Sequence, residues 1–303
     1  MNIIFSRKGF DSTSGGIPSP ILPDGTLLSL PIPYPFGPHR FAELRGPHDT
    51  SYGALLRQLG WRHRRHGRAW RSGSPVCHLD PDLRPNTIER PSGWRPIFGQ
   101  VGIGQSQLTP YDIRVGDLFL FFGLFRRAEW QQRKLRFVAD ARPLHVLYGW
   151  LRVGEILTAN THAVRDRIVE KYPWVTGHPH VEDMDSWQQR IRPMGPNRLY
   201  LSADAANGAG ILRFAQDTTL SAPGLSASRW KLFDWCGNRR NSAFSRCATA
   251  ASWRDHEPQP YFDTHVGRWQ ELVVPVDTYP GAQAWAENLI ERFGTSTVPF
   301  RKG

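Results

Sequence analysis

Cysteine is scarce in this sequence. Cys77, Cys236 and Cys247 are the only three among 303 residues, and none has the paired spacing of a disulfide framework or a thiolate zinc site. A reducing, cytoplasmic setting is the expectation that follows. Long apolar runs are missing too. The most apolar stretch, VGDLFLFFGLF at 115–125, falls short of the roughly 18 residues of a membrane helix and carries Asp117, so it reads as a buried strand. The N-terminus has no basic region followed by a long apolar run, and no membrane partner is expected. Acidic residues are outnumbered: 38 Lys and Arg face 27 Asp and Glu, a formal charge of +11. Such a surplus attracts polyanions, because basic side chains release condensed counterions on meeting phosphates. Nucleic acid, DNA before RNA, or a free nucleotide is the expected partner; a merely basic soluble protein is the alternative.

What is present in quantity is aromatic. Twelve Trp, 16 Phe and 8 Tyr in a chain that is 40% apolar describe a folded protein with a sizeable core. Residues 17–38 are dense in proline, which removes amide donors and holds the chain extended, and Asp24-Gly25 inside this segment signals a hairpin turn. Asp49-Thr50 can cap a short helix with Tyr52, Leu55, Leu56 and Leu59 at helical spacing and Gly60 as its stop. Residues 112–157 read as a β-region interrupted by a polar excursion, RRAEWQQRKLR. In its second strand Val146, Tyr148 and Trp150 alternate with Leu147, Gly149 and Leu151. Asn160 or Thr161 begins a helix that runs to Lys171, and a last helix is expected at 281–293, ended by Gly294. No repeat and no linker divides the chain, so a single domain over 1–303 is expected.

Three segments carry candidate chemistry. SRKGFDSTSGG at 6–16 is not a Walker motif, since its lysine precedes the glycines. Ser6, Arg7, Lys8, Gly15 and Gly16 could still form a backbone nest that holds a phosphate, with Asp11 orienting a base or acting as an acid; the alternative is a plain turn. In HLDPDL at 78–83, His78, Asp80 and Asp82 share one side of an extended chain, and Pro81 and Pro85 favour that geometry. A histidine with two carboxylates suits proton transfer or a divalent metal, against the alternative of aspartates that cap backbone amides. Cys77 faces the other way on a strand. HPH at 178–180 puts two imidazoles on one side, but with only Glu182 and Asp183 nearby it reads as a structural loop; His265 is a lone candidate of the same standing. Taken alone, the sequence assigns no metal ligands and identifies no cofactor. WRHRRHGRAWR at 61–71 interleaves Arg62, Arg64, Arg65, Arg68 and Arg71 with tryptophan, as a surface gripping a nucleic-acid backbone does, or is a solvated loop.

Read together, MNIIFSRKGFDSTSGGIPSPILPDGTLLSLPIP, HLDPDL, IFGQVGIGQSQL, VGDLFLFFGLFR, LYGWLRVGEIL and GHPH resemble the bacterial and phage family called nucleotide modification associated domain, type three. The resemblance spans nearly the whole chain. It implies association with enzymes that make or handle modified bases. A second resemblance is to the PUA-like barrels of the EVE, ASCH and YTH group. It rests on VGDLFLFF followed by HVLYGWLRVGEIL, and the excursion between them is longer than those compact barrels have. It implies an α+β, mostly β fold, a PUA-like barrel or sandwich core at about 94–200 with a few peripheral helices. It also implies an aromatic pocket for a base, in which Trp94, Phe122, Tyr148 and Trp150 are available to stack and Gln100 to hydrogen-bond a base edge. Three functions remain open: a reader of modified bases, an enzyme (transferase or hydrolase) using the 6–16 loop with His78, Asp80 and Asp82, and an interaction subunit of a modification or defence complex. The first two part on whether the 6–16 loop and the 78–82 segment meet.

Overall fold

The computed structural model describes residues 1–62, 75–182, 195–204, 207–236, 253–255, 259–264 and 271–295, and the backbone at 64–65 and 68–69. The fold is α+β and mostly β. Its frame is a large mixed sheet built on two long strands, β5 (Leu118–Gln131) and β6 (Leu144–Thr158), paired antiparallel. On the far side of β5 lie β1 (Asn2–Arg7) and β2 (Ser19–Ile21), both parallel to it, and β9 (Glu271–Pro275) pairs antiparallel with β1. On the far side of β6 lie β7 (Arg198–Ser202) and β8 (Ala209–Leu212), and β7 carries the edge strand β4 (Ile97–Gln100). A smaller sheet holds β3 (Val76–His78) between 32–33 and 39–40.

Near-continuous apolar runs make strands buried on both faces. Ile3, Phe5, Leu118, Leu120 and Phe122 face one core, closed by Ala282, Ala286 and Leu289 of helix α5 (Pro280–Phe293). Ile4, Phe119, Phe121 and Phe125 face a second core. Across that core Phe98 of β4 and Tyr200 of β7 meet Phe119, with ring centroids 5.0 and 4.9 Å away. The sheet therefore curls until its two end strands approach each other. No backbone ladder among the described residues joins β4 to β9, so the sheet stays open; instead Gln100 Nε2 donates to Glu271 Oε1 and Gln107 Oε1 accepts from the Glu271 amide.

Helix α1 (Tyr52–Gln58) is capped by Ser51, whose Oγ accepts from the Ala54 amide, one residue beyond the expected cap. α2 (Gly102–Leu108) follows β4 directly, α3 (His162–Lys171) starts at the Thr161 cap, and the single turn α4 is Pro179–Glu182. The Asp24-Gly25 turn is present, with Gly25 at φ +82° and Asp24 Oδ1 accepting from the Thr26 amide.

Two expectations about the long strands need correction. The polar excursion is a continuation of β5 that returns as strand 134–137 through a tight turn, Gln132 and Arg133 both at positive φ. Positive φ at both central residues is the twist-matched hairpin geometry, usually made by Asn-Gly, so Gln-Arg hides it. In β6 the register shifts between Leu147 and Gly149. This bulge reverses the alternation: Tyr148 faces the second core, with Val146, while Trp150 faces the first. Tyr148 and Trp150 therefore lie on opposite faces of the sheet.

Candidate active site

The site begins at the sheet edge. β4 offers outward amides to whatever runs beside it, and HLDPDL does so. The Ile97 amide donates to the Asp82 carbonyl, and two residues on the Gly99 amide donates to Asp80 Oδ1 at 2.7 Å. Asp80 thus takes the place of a strand partner. Gly177 (φ +92°) turns the chain into α4, which brings His178 and His180 onto the same carboxylate. His178 Nε2 lies 3.3 Å from Asp80 Oδ1, off the line of a hydrogen bond, while His180 Nε2 and His78 Nε2 each lie 3.8 Å from Oδ2. All four residues are buried. Two i, i+2 pairs, His78/Asp80 and His178/His180, so far apart in sequence, meet face to face.

Burial sets the charges. It pushes the His78 imidazole down to about 3 and His180 down to about 4, and the neighbouring positive groups, Lys8 among them, push the same way against the pull of Asp80. Burial would raise the Asp80 carboxyl, but His178, close beside it, and the imidazoles of His180 and His78 outweigh burial and leave it at about 2. At neutral pH the centre is a carboxylate faced by neutral rings at His78 and His180. Asn197 fixes one ring: its Nδ2 donates to the carbonyls of His180 and Ala159, and its Oδ1 stands 2.9 Å from His180 Nδ1. Gly99 makes room for it, since a Cβ there would fall 2.3 Å from the His180 ring.

Beside this centre lies a second buried polar group. Glu271 is fully enclosed, and its Oε1 accepts from Ser6 Oγ (3.0 Å), Lys8 Nζ (3.1 Å) and Gln100 Nε2 (2.5 Å). Its Oε2 is buried with no partner, and burial raises its carboxyl despite Lys8. Lys8 also sits 4.8 Å over the Phe98 ring. Of the 6–16 loop, then, Ser6 and Lys8 come to the site and the rest makes a turn. Asp11 Oδ1 accepts from the Thr13 amide and hydroxyl and the Ser14 amide, its Oδ2 is 3.8 Å from Arg7, and the Gly16 amide donates back to the Asp11 carbonyl. Gly15, at φ +93°, packs on Phe10, and its carbonyl accepts from Trp61 Nε1.

The other candidates are spent elsewhere. Both oxygens of Asp82 accept from Arg90, which stacks 4.3 Å over Trp94. Gln100 is turned to Glu271. Tyr148 and Trp150 are core residues on opposite faces and cannot sandwich one base. Arg62 is exposed; Arg64–Arg65 and Arg68–Ala69 pair as a small hairpin, whose side chains lie outside the described residues, as do Arg71, Asp183, Cys247 and His265. Asp80 and Asp82 both border a cavity of about 30 Å³ shared with Gly9, Arg84 and Tyr148, room for a water molecule or two. His178 and Asp82 border another, between Trp94 and Trp174. Sequence reasoning missed Glu271, Asn197 and the role of HPH. Only the echo between H-x-D and H-x-H, each with an adjoining proline, signalled the last.

No helix among the described residues is long and apolar enough to cross a membrane. No curated protein and no solved structure matches the chain significantly. A sequence profile described as nucleotide modification associated domain 3 matches residues 2–275, which include every residue of both polar clusters. The chain belongs to the nucleotide modification associated domain 3 family.

Proposed function

We propose that the chain is an enzyme that acts by hydrolysis or group transfer on a nucleotide, or on a base in nucleic acid, in the company of base modification. Its chemical centre is the cluster of His78, Asp80, His178 and His180, with Lys8 as the adjoining cation. One observation carries this reading: the segments HLDPDL and GHPH converge on a single buried carboxylate, Asp80, and the charge of Lys8, itself paired with Glu271, bears on the His78 and His180 rings beside it. A reader needs an aromatic cage and no such centre, and the aromatics expected to form one are dispersed: Phe122 and Trp150 lie in one core, Tyr148 in a second, and Trp94 packs against a third. Strongly perturbed, mutually coupled groups are what catalytic sites assemble. The family supports a nucleotide context, and the surplus of +11 supports an anionic substrate. The rim of the centre touches solvent at His78, and that of the adjoining pair at Lys8, whose side chains are 10% and 11% exposed.

The test is to incubate the protein with nucleotide pools and with unmodified and base-modified DNA, then digest and weigh the nucleosides by mass spectrometry. A nucleoside whose mass changes with wild type and not with a folded Asp80→Asn variant supports the reading. Binding to modified DNA with no mass change, undiminished in Asp80→Asn, would refute it in favour of a reader.

A further inference from the structure

We infer that His78 Nε2, Asp80 Oδ2 and His180 Nε2 form the site of one divalent transition-metal ion of the zinc or ferrous kind, with His178 and Asn197 as positioning residues. This deepens the proposed function and rests on it only for the choice of centre, since metal uptake is measured without any substrate.

The hydrogen-bond directions carry the argument. The Asn197 amide nitrogen is committed to two carbonyls, so Oδ1 is the atom that faces His180 Nδ1, and an amide oxygen only accepts. His180 therefore carries its proton on Nδ1 and turns the lone pair of Nε2 toward Asp80 Oδ2, 3.8 Å away. Two electron-rich atoms face each other in a buried site, an arrangement that calls for a cation between them. The other carboxylate oxygen is already occupied. Asp80 Oδ1 accepts from the Gly99 amide and has His178 beside it, and His178 Nδ1 accepts from the His180 amide, which leaves the His178 proton on Nε2, the atom next to Oδ1. Protein donors thus hold Oδ1 and orient Oδ2 toward the two imidazoles. Donor groups that fix ligating carboxylates and histidines from behind are characteristic of metal centres.

The spacing fits. One ligand atom from each of His78, Asp80 and His180 lies within 4.8 Å of the others. Two ligands about 2.1 Å from a tetrahedral ion stand about 3.4 Å apart, so the 3.8 Å contacts close with small ring rotations. Two imidazoles and one carboxylate suit Zn²⁺ or Fe²⁺ and leave a position for water or substrate, whereas Mg²⁺ and Ca²⁺ ask for more oxygens than this pocket offers. Cys77 is no part of the set: it packs into the core with Phe10 and Phe41.

The experiment strips the full chain with a chelator, adds Zn²⁺, Fe²⁺, Co²⁺ or Mg²⁺, and reads stoichiometry by mass spectrometry, affinity by calorimetry and Co²⁺ ligation by visible absorption. The expected result is one Zn²⁺ or Co²⁺ per chain and a Co²⁺ band stronger than that of the aqueous ion. His162→Ala, an exposed histidine on α3, is expected to bind as wild type. Asp80→Asn and His180→Gln lose affinity by at least about tenfold, and Asn197→Ala by about 10–100-fold. A chain that takes up no ion, that prefers Mg²⁺, or that binds unchanged in a folded Asp80→Asn variant overturns the inference. Should the ligand variants fail to fold, the Co²⁺ band of wild type decides: its absence refutes the site. Metal uptake without nucleotide chemistry would leave this inference standing and the proposed function refuted; nucleotide chemistry by a chain that takes up no ion would do the reverse.

Discussion

Replacing Lys8 by methionine is the most informative single perturbation of the region. Lys8 Nζ stands 3.1 Å from Glu271 Oε1, with side-chain exposures of 11% and 0%. At an effective dielectric of 20, that separation corresponds to a gross attraction of about 5 kcal/mol, part of which offsets the desolvation of both ions. Methionine keeps the length and the contact with Phe98 but leaves a buried carboxylate with only the Ser6 and Gln100 donors. Removing one partner of a buried pair costs about 3–5 kcal/mol. The pH dependence distinguishes this cause from lost packing. Burial already raises the Glu271 carboxyl above its unfolded value of about 4.3, so its ionisation opposes folding. That penalty is fully present above the folded-state pKa and disappears as pH falls to the unfolded one. Without Lys8 the folded-state pKa rises further, so the relief on acidification begins at a higher pH. Urea unfolding at pH 7.5 and 5.5, followed by circular dichroism, should show Lys8→Met losing about 3–5 kcal/mol at the higher pH and distinctly less at the lower. Adding Glu271→Gln should restore most of the loss. A Lys8→Met variant as stable as wild type at pH 7.5, or equally destabilised at both pH values, would refute the assigned role of the pair.

Two other expectations follow from single contacts. Gly99→Ala places a methyl group 2.3 Å from the His180 ring, which must retreat by about 1 Å; overpacking of this kind costs about 1–3 kcal/mol, so thermal unfolding should show a lower midpoint and metal uptake should weaken. Gly60→Ala is a poor control because of its positive φ; Gly46 and Gly53 are crowded as well, so wild type serves as the reference. Burial would raise the Glu155 carboxyl, but the Tyr172 hydroxyl, Lys171 and Arg95 together hold it below its ordinary value. Its contribution is therefore present above the unfolded pKa of about 4.3 and lost as pH falls through the folded one, so Glu155→Gln should flatten the acid limb of a stability–pH curve while changing little below it.

Local chemistry was legible where it stayed local. The apolar runs at 3–5 and 118–125 announced buried strands, and the Thr161 and Gly294 boundaries of two helices could be read from caps and stops. The β6 bulge could not. Gly149 marks it in hindsight, but whether a strand glycine bulges depends on its partner strand, and here β8 and Leu83 press against that backbone. One inserted residue moved Trp150 to the other face and dissolved the aromatic cage expected of residues 148 and 150. The hairpin at Gln132-Arg133 was hidden for a related reason: the pairing of residues 128–131 with 134–137 imposes a turn that its own residues do not favour.

The sequence offered His78 and Asp80 as candidates but did not join them to HPH, because each half of the site is ordinary alone. H-x-D beside a proline is a turn whose aspartate caps an amide, and Asp80 does accept the Gly99 amide. H-P-H lacks a third ligand within reach along the chain. What joins them is the edge strand β4, which fixes Asp80 through its Gly99 amide and admits the His180 ring over the same glycine. Gly99 thus has two functions that no other residue combines: its N–H holds the carboxylate, and its missing Cβ seats the imidazole. Asp82, on the same expected face as His78 and Asp80, was drawn off by Arg90, eight residues on, which satisfies both its oxygens. Asp82 has both oxygens on the Arg90 guanidinium, whereas Asp80 accepts from the Gly99 amide and lies among three imidazoles. Between two aspartates two residues apart, that difference in partners is why the proposed centre is built on Asp80 and not on Asp82.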